Sequence, residues 1–68
     1  MKVDAYRRCY GKSLEGEWDW QVYVWFGKGI FADVILKGRR TFDTEDECRE
    51  DMERIIKKMG FKRTSQKD

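Results

Sequence analysis

The 68-residue sequence contains no histidine, only two cysteines and no long apolar run. Without histidine, the commonest general base and the commonest metal ligand are both missing. Serine–histidine and cysteine–histidine nucleophilic pairs are thereby excluded. Cys9 and Cys48 lie far apart and form no Cys-x-x-Cys motif, so no zinc site is expected. Two cysteines are also too few for a secreted disulfide scaffold. They read as small buried apolar residues, with a disulfide between Cys9 and Cys48 or a redox role as the alternative. No segment is long enough to cross a bilayer and none has the apolar core of a signal peptide, which points to the cytoplasm. No enzyme activity, cofactor, metal or membrane contact is expected.

A dominant charge of one sign is lacking too. Fifteen basic residues stand against 13 acidic ones, and the net charge of +2 exerts no strong pull on nucleic acid by itself. The distribution is more telling. Lys2, Arg7, Arg8 and Lys12 precede the first acidic cluster, Lys57, Lys58, Lys62, Arg63 and Lys67 crowd the C-terminus, and the acids concentrate between Asp43 and Glu53. With 40% hydrophobic residues in well-patterned segments, the chain is expected to fold as one small domain over residues 1–61. Residues 62–68 read as a polar, basic, flexible tail.

Aromatic side chains are plentiful. Five of the nine residues from Trp18 to Phe26 are aromatic. As a β-strand, this run sends Trp18, Trp20, Val22, Val24 and Phe26 to one face and Asp19, Gln21, Tyr23 and Trp25 to the other. Residues 3–10 alternate loosely as a first strand, and residues 11–16 have the composition of a hairpin loop. Gly27-Lys28-Gly29 reads as a tight turn rather than a phosphate loop, since it is short and leads into a strand. Residues 30–36 read as a third strand, apolar on both faces, so which face meets the helix stays open. Gly38 breaks that run, and residues 39–42 form a short extended stretch at the sheet edge.

The helix signal is the cleanest. Thr44 and Glu47 make a capping box, and Glu45, Asp46 and Glu47 suit the positive end of the helix dipole. Cys48, Met52, Ile55, Ile56 and Met59 form one apolar stripe. Glu45 with Arg49, Glu50 with Arg54, and Glu53 with Lys57 are i,i+4 pairs of favourable order. That matching reads the acids as a solvated face rather than as paired catalytic carboxylates. Gly60 followed by Phe61 reads as a left-handed cap.

The expected fold is α+β: a three- or four-stranded antiparallel β-meander with one C-terminal α-helix packed on one face. The helix stripe meets Trp20, Val22, Val24 and Phe26. Tyr23, Trp25, Phe31 and Ile35 then lie behind the sheet, with Tyr6 and Tyr10 beside them.

Gly16-Glu17-Trp18-Asp19-Trp20, the Lys-Gly turn, Ile30-Phe31-Ala32-Asp33 and Ile55-Ile56-Lys57-Lys58 resemble the small YegP-like domains of unknown function. The resemblance spans roughly residues 2–60 through short motifs. It departs from the family at Arg40-Thr41-Phe42-Asp43-Thr44, in a longer first loop and in a more charged helix. It implies a fold and brings no catalytic residues. A weaker resemblance runs from Gly38 to Thr44, a basic strand leading through Thr-Phe-x-Thr into a helix. It is similar to the arm-binding domain of tyrosine recombinases and to plant DNA-binding domains of the same build, and it implies a sheet laid on DNA.

One helix covers one face of a small sheet, so the other face needs either a partner or a reason to carry exposed aromatics. The plain alternative is a stable monomer with Trp25 and Tyr23 half-buried. A protein-interaction module is the expected function, working as a homodimer or with a partner protein. Tyr23 and Trp25 are the anchors, Phe31 and Ile35 their neighbours, and Arg39 and Arg40 the charged rim. Size and charge also suit a phage or mobile-element protein that blocks a host machine. The alternative is a nucleic-acid-binding domain in which Tyr23, Trp25 and Phe31 stack on bases while Arg7, Arg8, Lys28, Arg39 and Arg40 track phosphates. Asp19 and Asp33 on the same face would oppose that use.

Overall fold

The structure, a computed structural model, describes residues 2–63. In chain order the elements are β1 (Lys2–Val3), β2 (Ala5–Lys12), β3 (Trp18–Trp25), β4 (Val34–Lys37), α1 (Glu45–Met59) and β5 (Lys62–Arg63). The aromatic run supplies the central strand of an antiparallel sheet ordered β2-β3-β4. Its register pairs Tyr6 with Val24, Arg8 with Val22 and Tyr10 with Trp20 on one side. On the other side it pairs Val24 with Val34 and Val22 with Leu36. The fold is α+β, a three-stranded antiparallel sheet with one helix. Trp18 and Phe42 exchange backbone hydrogen bonds of 2.7 and 2.8 Å, which fastens the residues before the helix to the sheet edge.

The helix forms where its caps predict. Thr44 accepts a hydrogen bond from the Glu47 N–H at 3.2 Å, and Gly60 closes the other end in the left-handed region at φ 63°. Its buried stripe of Cys48, Met52 and Ile56 packs on Trp20, Val22 and Val24, with Val3 and Phe42 completing the core. Met52, Val3, Val22, Val24 and Cys48 are the side chains fully removed from solvent. Burial of each contributes about 1.5–3 kcal/mol, apart from the smaller cysteine.

Several expectations are corrected. The first strand is split at Asp4, whose N–H donates to the Trp25 carbonyl at 2.7 Å. Register places Tyr6 and Tyr10 on the helix side, not behind the sheet, and Tyr6 stacks against Phe61 with ring centroids 5.1 Å apart. The third strand spans residues 34–37 rather than 30–36. Asp33 explains the difference. Its N–H donates to the Val24 carbonyl, but its side chain, not a backbone carbonyl, accepts from the Phe26 N–H at 2.8 Å. A side chain in place of a backbone acceptor ends the ladder there. Residues 26–33 are thus a loop, and Phe26 is exposed rather than part of the core.

The helix ion pairs differ from the expected i,i+4 set. Arg49 pairs with Asp46 and Arg54 with Asp51, both at i,i+3, while Glu53 is taken by Arg8 of β2 at 2.6 Å. Tertiary packing brings a better partner to Glu53 than its own helix offers. Cys9 is exposed and only Cys48 is buried; both are free thiols. At the C-terminus, β5 pairs in parallel with β1, so ordered structure runs two residues past the expected boundary at 61. The rest of the expected tail, residues 64–68, lies outside the described residues.

Candidate interaction surface

Period-two alternation and the observed register together define the face that α1 leaves open. β2 contributes Ala5, Arg7, Cys9 and Gly11, β3 contributes Asp19, Gln21, Tyr23 and Trp25, and β4 contributes Ile35 and Lys37. Tyr23 sits in the middle, between Arg7 on one neighbouring strand and Ile35 on the other. Its ring meets Trp25 edge-on, with centroids 6.4 Å apart at 60°. Its hydroxyl donates to the Gln21 side-chain oxygen at 2.9 Å. Both aromatic rings are therefore held in place before any partner arrives, which lowers the entropy lost on binding. The cross-strand partner of Trp25 is the small Ala5, and both Trp25 and Tyr23 are half-buried.

The loop at the Trp25 end of the sheet extends this surface. Phe26 is 49% exposed, Ile30 89%, Phe31 85% and Ile35 49%. Exposed apolar side chains are ordinary when scattered, but these four fall within one ten-residue stretch. Lys28 adds a cation between the two loop glycines.

The expected site residues are only partly brought together. Tyr23, Trp25 and Ile35 share the open face as expected. Phe31 is not on that face; it projects from the 26–33 loop beyond it. Arg39 and Arg40 are not its rim, because the chain turns toward α1 after β4 and both side chains line a groove against the helix. Arg40 lies over the Phe42 ring at 4.4 Å. Of the expected phosphate contacts, Arg7 is on the open face and Lys28 in the loop, while Arg8 is on the helix side, bound to Glu53 and 5.6 Å over the Tyr6 ring. The five basic residues thus form no single track. Asp33 turns its carboxylate into the loop backbone, leaving Asp19 as the acid of the open face.

Sequence reasoning missed Ile30 and Phe26 as exposed apolar residues of a loop. Asp33 was the available signal, since an acid flanked by apolar residues so often serves a loop backbone. The groove beside α1 was missed because Arg39, Arg40, Arg54 and Lys58 meet only in three dimensions.

Reactive chemistry is sparse. No group of three or more metal-ligating side chains occurs among the described residues. Burial, and then the carboxylates of Asp19, Asp51 and Glu45, push the Cys48 thiol above its ordinary pKa, so it is a poor nucleophile. No helix among the described residues is long and apolar enough to cross a membrane. No family model, curated protein or solved structure matches the chain.

Proposed function

We propose that this chain is a non-enzymatic, cytoplasmic protein-interaction module that self-associates or binds a partner protein through its open sheet face and the adjoining loop. Tyr23 and Trp25 are the anchors, Ile35, Phe31 and Ile30 extend the apolar contact, and Arg7 replaces Arg39 and Arg40 as the charged neighbour. The supporting observation is the run of exposed Phe26, Ile30, Phe31 and Ile35 beside pre-ordered aromatics. Covering Ile30 and Phe31 alone would contribute about 1.5–3 kcal/mol each. A chain of this size gains stability from such burial. A host protein blocked by a phage or mobile-element product is one partner of the proposed kind. Kinship with the YegP-like domains belongs to the same proposal, resting on residues 16–20 and 55–58.

Sedimentation across a wide concentration range tests self-association directly. The homodimer reading expects a rising weight-average mass that Trp25→Ala abolishes. A monomer throughout removes that reading and leaves the partner protein. Salt-sensitive binding to random single- or double-stranded oligonucleotides, lost on Trp25→Ala, would overturn the proposal in favour of nucleic acid.

A further inference from the structure

On the side opposite the open face, α1 packs mainly over β3 and β2. The helix side of β4 is only partly covered, and a groove of about 660 Å³ runs between β4 and the helix. Its apolar floor is Leu36, Ile55 and the edge of Trp20, and its walls carry Arg39, Arg40, Arg54 and Lys58 with Asp51 as the acid among them. Lys37 borders it on β4, where strand alternation sends its side chain to the open face. Four cations against one carboxylate leave a net charge of +3 in a chain whose total is +2. Asp51 is already engaged, accepting from the Trp20 indole N–H at 2.9 Å and pairing with Arg54. Arg40 rests on Phe42, whereas Arg39 and Lys58 hold no ion pair among the described residues. Like charges gathered around one concavity repel one another and raise the local potential for an anion.

The floor decides what kind of anion fits. Trp20 and Phe42 are each 3% exposed, and Arg40 covers Phe42, so no aromatic plane is open for a base to stack upon. Leu36 and Ile55 offer aliphatic surface instead, both being only partly buried. Residues 62–68 carry Lys62, Arg63 and Lys67 against Asp68, so the chain's own end does not complement the groove. We propose that this groove is a second binding site, for an acidic peptide segment of a partner protein carrying an apolar anchor between its carboxylates. The anchor would sit on Leu36 and Ile55, and carboxylates would meet Arg39 and Lys58 in charge-assisted hydrogen bonds. The site is independent of Trp25 and Tyr23 on the other face.

Labelled model peptides test it by fluorescence anisotropy on the full chain: one of glutamates interrupted by leucines, one of glutamates alone at equal length, and an oligothymidylate. The Glu/Leu peptide should bind best, and the Arg39→Glu, Lys58→Glu double variant should weaken it at least about tenfold, or about 1.4 kcal/mol. Arg7→Glu on the opposite face should leave it unchanged. Both sites are exposed, so the variants should keep the parent's circular dichroism. Equal binding of the glutamate-only peptide, tighter binding of the oligothymidylate, indifference to the double variant, or no binding of the Glu/Leu peptide would each overturn the assignment.

Discussion

The indole nitrogen of Trp20 lies 2.9 Å from Oδ2 of Asp51, joining the central strand to the helix across 31 positions of sequence. Trp20 is almost wholly buried, so its N–H depends on this one acceptor. Asp51→Ala should therefore destabilise the fold by about 1–3 kcal/mol in urea unfolding, since a buried donor is left unpaired. Asp51→Asn keeps an acceptor and should cost less.

Gly38 is needed for the same contact. A Cβ there would stand 2.8 Å from Trp20 Nε1 and 3.1 Å from its Cδ1, closer than the atoms allow. Gly38→Ala should displace the indole and lower stability by about 1–3 kcal/mol. Gly11, where an added Cβ meets nothing within 4 Å, is the matched control and should tolerate alanine far better.

The two faces of β3 should respond oppositely to truncation. Trp20→Ala removes a core side chain and should cost about 3–5 kcal/mol, a large part of the stability of a small domain. Trp25→Ala, at a half-buried position, should cost far less than Trp20→Ala while weakening association in sedimentation. An unfolded Trp25→Ala variant beside a folded Trp20→Ala variant would reverse the assignment of faces.

The thiols should separate kinetically. Exposed Cys9 should react with a disulfide reagent at once, and Cys48 only when the chain is opened by denaturant. Because burial raises the Cys48 pKa, the folded state holds its proton more tightly than the unfolded chain does. Unfolding then releases a proton once pH exceeds the unfolded thiol value of about 8.5, so this group lowers stability as pH rises past that point. Chemical unfolding at stepped alkaline pH should show the decline, and Cys48→Ala should flatten it.

Thr44 accepts the Glu47 N–H, and its replacement by alanine should cost about 1 kcal/mol through loss of the cap. Thermal unfolding followed by helix ellipticity would measure it.

The helix was legible to the residue, because caps and a 3.6-residue stripe are written locally: Thr44 before it, Gly60 after it, Cys48, Met52 and Ile56 inward. The division of β3 into a core face and an open face was legible as well, through simple alternation. The third strand was not. Ile30 and Phe31 have strand-like character, yet their place in the chain depends on where Asp33 sends its side chain, a choice made between loop and ladder. The charged residues misled for a related reason. Arg8 and Glu53 are 45 positions apart, and no spacing rule anticipates their pairing.

By itself, then, the sequence determined the capped helix and the two-faced aromatic strand, since each depends on neighbours within a few residues. The tertiary structure alone decided which basic residues face which side. Arg7 stayed beside Tyr23, Arg8 went to the helix, and Arg39 and Arg40 turned away from the aromatic face to line a groove with Arg54 and Lys58. Register and the close passage of Gly38 over Trp20 set those directions, and both arise only when distant segments pack together.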